Sequence, residues 1–286
     1  MTSGAVRVLV GYDGSLTSGA AIGACARLLP DAHATIGHLW TPPFASDQLR
    51  RRLWSGARHV DGFVEAVERE GLREAERVAG MGVALARAAG WTAEPQVARC
   101  YGSEGFALTE LARKVDADVV LVGSRGLGGT RAVLGSVSDM VVHYAGVPVL
   151  VAPYPLLVAD DDALAQGAVL VAWDGSAGAK GALDAVLRLW PDRQVVLAGV
   201  DQDVEPPTLP DGGPQVSVVR VSSRRERFSP AVADALAAAA QDCGAAVLVL
   251  GSRGRSAIRE IVVGSVAMSA LHRAHRLVMI VPKTGA

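Results

Sequence analysis

Two short stretches of this 286-residue chain set glycines and a hydroxyl at nearly matching intervals. Gly123-Ser-Arg-Gly126 is followed, after an irregular stretch, by Gly135-Ser136, and Gly251-Ser-Arg-Gly254 leads in the same way to Gly264-Ser265. Glycines let backbone N–H groups come close to oxyanions, a serine hydroxyl adds a donor, and a helix that opens at the serine favours negative charge through its first-turn amides and dipole. This is the outline of a phosphate cradle that needs no lysine. Val137 and Ser138 in one copy, and Val266 in the other, continue the same first turns. Two carboxylates accompany the cradles, Asp13 in Val8-Leu-Val-Gly-Tyr-Asp-Gly-Ser15 and Asp174 in Val169-Leu-Val-Ala-Trp-Asp-Gly-Ser176. Such an acceptor can hold ribose hydroxyls or an exocyclic amine, or contact a phosphate-bound metal. Singly, each of these residues reads as an N-cap aspartate or a turn glycine. Together, and twice, they point to a ligand. Arg125 and Arg253 could neutralise phosphates, although a loop arginine is more often solvated or ion-paired.

Stepping outward, the elements that hold these residues come as two internal copies. The spacing from Asp13 to Asp174 is 161 residues and that from Gly126 to Gly254 is 128, so the second copy lacks 33 residues between the anchors. The missing piece corresponds to Trp54 through Ala89, where Val60, Phe63, Val64 and Val67, then Leu72, Ala75 and Val78, recur at helical spacing. Short β-branched runs alternate with helical patterns. In the first copy strands are expected near 6–11, 34–40, 93–100, 118–123 and 147–151, with helices near 18–29, 55–89, 103–115 and 135–145. In the second, strands are expected near 168–172, 195–200, 215–221, 246–251 and 277–281, with helices near 178–189, 229–243 and 264–274. Crossover helices between such strands imply parallel pairing, and the wholly apolar Val119-Val-Leu-Val122 and Val247-Leu-Val-Leu250 fit strands covered on both faces. The expected class is α/β, with two tandem doubly wound parallel five-stranded sheets. Domains are expected at 1–153 and 167–286, joined by a linker at 154–166 marked by prolines and Asp160-Asp-Asp162. In such sheets the ligand crevice lies beyond the carboxyl ends of the strands where strand order reverses, which is where the repeated residues fall.

On these residues the chain resembles the universal stress proteins, in their tandem two-domain form, from Val6 to Pro282. The family's nucleotide signature is Gly, two residues, Gly, nine residues, Gly, then Ser or Thr, and Gly251, Gly254, Gly264 and Ser265 fit it. The first copy has eight residues between Gly126 and Gly135, a difference that the Leu127-Gly128-Gly129 segment can absorb. The resemblance implies strand order 3-2-1-4-5, an adenine contact just after strand two at Leu39 and Val200, and ATP with Mg²⁺ as the ligand. It also implies pairing of the two domains through their fifth strands as an intrachain pseudo-dimer, with a homodimer of chains as a further possibility. The copies differ where a ligand would notice. The first has Gly11, Tyr12 and Ser138, and the second has Ala172, Trp173 and Ala267, so the second loses a hydroxyl and gains bulk near the base. Both are expected to bind nucleotide, with different affinities.

Composition narrows the alternatives. Half the residues are hydrophobic, and 28 basic against 29 acidic side chains leave a formal net charge of −1, which speaks against disorder and against a nucleic-acid partner. Arg224, Arg225 and Arg227 read as an exposed loop. Met140 to Ala159 has membrane length, but Gly146, Pro148, Pro153 and Pro155 interrupt it, so no membrane span is expected. Cys25, Cys100 and Cys243 form neither a disulfide framework nor a zinc cage, as in a protein of the reducing cytoplasm. Six histidines lack H-E-x-x-H, and no protein-built metal site is expected. The Walker sequence, the Rossmann G-x-G-x-x-G and the G-x-S-x-G elbow are absent. So are the His-x-Gly-His of nucleotidyl transferases and the Ser-Gly-Gly-x-Asp-Ser of ATP pyrophosphatases, whose folds are similar. The function expected is nucleotide binding in a stress response that acts through conformation or partners. No catalytic residue is identified, because neither copy offers a general base beyond the distant Asp13 and Asp174. A scaffold with vestigial sites and a slow ATPase stay open beside this reading.

Overall fold

In the computed structural model, residues 5–41, 60–124, 134–156, 158–203, 205–207, 213–223, 229–252 and 263–283 are described. The first half runs β1 (Arg7–Gly11), α1 (Leu16–Leu28), β2 (His33–Trp40), α2 (Val60–Ala88), β3 (Thr92–Arg99), α3 (Glu104–Lys114), β4 (Val119–Gly123), α4 (Ser136–Tyr144) and β5 (Val149–Ala152). After α5 (Val158–Gln166), the second half runs β6 (Val169–Ala172), α6 (Ala177–Leu189), β7 (Val195–Val200), β8 (Val216–Val221), α7 (Ser229–Asp242), β9 (Val247–Gly251), α8 (Ser265–Arg273) and β10 (Leu277–Val281). Among the described residues no helix lies between β7 and β8, where the first half has α2. The shorter spacing of the second copy is this difference.

Within each half the strand order is 3-2-1-4-5 and every pairing is parallel. The two five-stranded halves join at their edges. β5 pairs with β10 antiparallel, Val151 opposite Val278 and Leu150 opposite Met279, so the strands form one ten-stranded sheet. The physical reason is visible in the sequence of the two strands. Val-Leu-Val-Ala and Leu-Val-Met-Ile-Val are buried along their whole lengths, and two such edges exposed to water would template aggregation. Because the pairing is antiparallel, the carboxyl ends of the two sets of strands open at opposite edges of the sheet.

Side chains alternate across the strands and build two cores, each running through both halves. On one face α1, α2, α5 and α6 bring Ile22, Val83, Leu164 and Leu183 down onto Val8, Val10, Val119, Val169 and Val171. On the other, α3, α4, α7 and α8 bring Leu108, Val141, Leu236 and Leu271 onto Leu9, Val120, Leu170 and Leu248. The segment read as an exposed linker contains α5, and Leu164 is 1% exposed. Helix formers behind the acidic run let this segment coil, and one leucine anchors it between the halves. No helix among the described residues is long and apolar enough to cross a membrane.

Candidate functional site

The aspartates after β1 and β6 sit in matching turns. Gly14 and Gly175 have φ of +81° and +73°, which reverses the chain at no steric cost. The Ser15 N–H donates to Asp13 Oδ1 at 3.0 Å, and the Ser176 N–H donates to Asp174 Oδ1 at the same distance. Each serine then caps the next helix, its Oγ accepting from the Ser18 N–H at 3.1 Å in α1 and from the Ala179 N–H at 3.2 Å in α6. In the first half Ser18 Oγ adds a second donor to Asp13 Oδ1 at 2.7 Å. Burial would push the Asp13 carboxyl up, but the bonds from Ser15 and Ser18 outweigh it and hold the group below its ordinary value. Both aspartates are half-buried, with one oxygen each engaged in the turn.

The helices beyond β4 and β9 begin differently. Gly135 and Gly264 occupy the N-cap positions with extended backbone, and neither helix has a side-chain cap. The first intrahelical bonds run from the Asp139 N–H to Gly135 O at 2.8 Å and from the Met268 N–H to Gly264 O at 3.0 Å. The amides of Ser136, Val137 and Ser138, and of Ser265, Val266 and Ala267, precede the helical ladder. The cap amides themselves are engaged, Gly135 N–H with Ser124 O at 2.9 Å and Gly264 N–H with Ser252 O at 2.6 Å. These bonds tie the strand ends to the helix mouths. α4 carries Asp139 in its first turn, whereas α8 has no acid there, so the field at the second mouth favours an anion more strongly.

Several residues singled out in the sequence have structural reasons of their own. The Ser138 hydroxyl, expected as a ligand donor, is buried and donates to Gly123 O at 2.7 Å; it pins α4 to the end of β4. A Cβ on Gly251 would lie 2.4 Å from the carbonyl oxygen of Gly178, so this glycine lets the first turn of α6 rest on β9. A Cβ on Gly11 would meet Leu108 at 2.7 Å, while Ala172 fits at the equivalent place. Leu39 and Val200, expected just after the second strands, lie within them, next to last in β2 and last in β7; both are half-buried and pack against the same apolar cluster as Val137, Ala172 and Val266. Arg125, Gly126, Arg253 and Gly254 lie outside the described residues, as do the Leu127-Gly128-Gly129 segment and Arg224, Arg225 and Arg227. Among the described residues no group of three or more His, Cys, Asp or Glu side chains could hold a metal ion.

Sequence reasoning missed the serine caps Ser15 and Ser176, although the Asp-Gly-Ser triplets signalled them. It also passed over Tyr101, Arg99 and Ser229. Ser229 Oγ donates to Ser265 Oγ at 2.6 Å, which sets the start of α7 beside the open mouth of α8. No spacing rule joins residues 36 positions apart on different helices.

A doubly wound α/β protein with duplicated strand-tip aspartates and uncapped helix mouths is thus the class that fold and site define. The sequence model of the Universal stress protein family matches residues 6–153 and 214–282, more than half of the chain, and the chain belongs to that family. It is 28% identical to a universal stress protein of Mycolicibacterium smegmatis, over 96% of each chain. The crystal structure of a universal stress protein from Archaeoglobus fulgidus matches with a TM-score of 0.63 and 21% identity, covering 96% of each chain. A putative universal stress protein from Pseudomonas aeruginosa matches with a TM-score of 0.52 and 12% identity, covering 98% of this chain and 95% of the other. At these identities the structural likenesses show the fold.

Proposed function

We propose that this universal stress protein binds adenine nucleotide, as ATP with Mg²⁺, at the carboxyl ends of the strands in each half, and acts in the cytoplasm through ligand-dependent conformation or partner binding. The observation that carries the reading is a contrast between helices. α1 and α6 close their first turns with serine side chains, whereas the N-cap glycines of α4 and α8, at the crevices, have no side chain to do so, and an outside acceptor could take these amides. Phosphate oxygens would meet the amides of Ser136 to Ser138 and of Ser265 to Ala267. Asp13 and Asp174 would offer their carboxylates to ribose hydroxyls or to a cation. With no such cluster among the described residues, Mg²⁺ would arrive on the phosphates. Leu39 and Val200 would bound the adenine side. The domains at 1–153 and 167–286 then carry one site each, and the β5–β10 ladder supports reading them as an intrachain pseudo-dimer.

The test is release and stabilisation. Denaturing purified protein is expected to release adenine nucleotide, or added Mg-ATP to raise the melting temperature of nucleotide-free protein; failure of both overturns the proposal. A second reading, a scaffold with vestigial sites, draws on the engaged cap amides of Gly135 and Gly264 and on the packing role of Gly251. It predicts no nucleotide and no thermal shift.

A further inference from the structure

The β3–α3 connection of the first half runs from the ends of β2 and β3 to the first turns of α4. Cys100 N–H donates to Trp40 O at 2.8 Å and its thiol to Gly102 O at 3.3 Å, which turns the chain just beyond the sheet. A Cβ on Gly105 would lie 2.3 Å from Met140 Cβ and 3.3 Å from Val137 O, so the first turn of α3 rests on the first turns of α4. In the second half α7 starts at Ser229, which is bonded to Ser265 at the mouth of α8. Tyr101 lies within the first half's connection, between the strand ends near Leu39 and the first turns of α4.

Its ring lies over the guanidinium of Arg99, with 4.7 Å from Cζ to the ring centroid, and yet the residue is 83% exposed. Arg99 is fixed from below. It meets Glu68 of α2 at 2.6 Å and lies 5.9 Å from the Trp40 ring, and its Nε is buried with no hydrogen-bond partner among the described residues. A tyrosine held by a cation on one face presents the other to solvent as a flat, ordered π surface. Among the described residues the second half has no such stack. By strand register Asp201 and Ser222 replace Trp40 and Arg99.

We propose that Tyr101, backed by Arg99, is a base-stacking residue of the first site, so that the first half reads the nucleobase while the second relies on phosphate contacts. The inference rests on the nucleotide-binding reading above. A purine on the open face of Tyr101 gains stacking that a bare polyphosphate cannot, and every base has such a face.

The experiment uses the full chain carrying Gly264→Val to block the second site, with ATP and inorganic tripolyphosphate as probes in calorimetric titration. Tyr101→Ser is expected to weaken ATP binding roughly tenfold and to leave tripolyphosphate binding unchanged, while Tyr101→Phe keeps ATP affinity within about twofold. Since the residue is exposed, the serine variant keeps the fold, which its unchanged melting temperature would show. Unchanged ATP affinity in Tyr101→Ser, or equal loss for both probes, overturns the stacking role while leaving nucleotide binding intact. Absence of ATP binding to the wild-type chain overturns the underlying reading as well.

Discussion

The indole nitrogen of Trp190 donates to the carbonyl oxygen of Leu28 at 3.0 Å, from the C-cap of α6 in the second half to the last residue of α1 in the first. Arg193 reaches the same carbonyl at 3.5 Å and also bonds to Leu164 O at 2.9 Å and Ala165 O at 2.8 Å. Trp91, from the first half, donates to Leu29 O at 2.7 Å. The end of α1 thus collects three donors, one of them a cation suited to the negative end of the helix dipole. Its orphan carbonyls become the bolt between the halves on the α1 face, as the β5–β10 ladder is within the sheet.

Trp190→Phe keeps the ring and removes the donor. Arg193 still reaches the carbonyl, so the loss is that of one net hydrogen bond, about 0.5–1.5 kcal/mol, which should lower the melting temperature by about 1–4 °C. A change under about 0.5 kcal/mol in denaturant unfolding would show that the bond contributes nothing to stability.

Gly251→Ala and Gly264→Val separate packing glycines from ligand glycines. The first drives a methyl into backbone and should cost about 1–3 kcal/mol of stability with or without nucleotide. The second falls at φ −73°, which valine accepts, and should spare stability but weaken ATP binding. If Gly251→Ala melts like the wild type, the close approach of α6 to β9 is not what selects glycine there.

Gly135→Val tests the asymmetry of the two mouths. Asp139 already faces the field of α4, and α8 has no such acid, so Gly264→Val should weaken ATP binding more than Gly135→Val. Titration of each variant gives the order, and the reverse order would make the first mouth the stronger phosphate site.

Asp13 supplies a pH signature. Its folded value lies below the unfolded value of about 3.9, so the folded state prefers the carboxylate. The stability that this adds is complete above the unfolded value and is lost as pH falls through the folded one. Asp13→Asn keeps the acceptor oxygen without the titration, so its stability should fall less steeply below about pH 4 than that of the wild type. Parallel slopes in unfolding experiments between pH 5 and pH 2 would refute the assignment.

The repeat of Asp-Gly-Ser and Gly-Ser-Arg-Gly, together with β-branched runs separated by helical spacing, determined the doubly wound halves, their order and the edges where a ligand would sit. Those features are local, since period, turn chemistry and strand burial are written in neighbouring residues. Leu164 illustrates the limit: one leucine behind Asp160-Asp-Asp162 reads as linker until the core that receives it is known. The antiparallel register of β5 on β10, the donors of Trp190 and Arg193 at the end of α1, and the place of Tyr101 over Arg99 were decided by tertiary structure alone. Each depends on the register or crossing angle of elements far apart in the chain, which packing fixes and spacing does not encode.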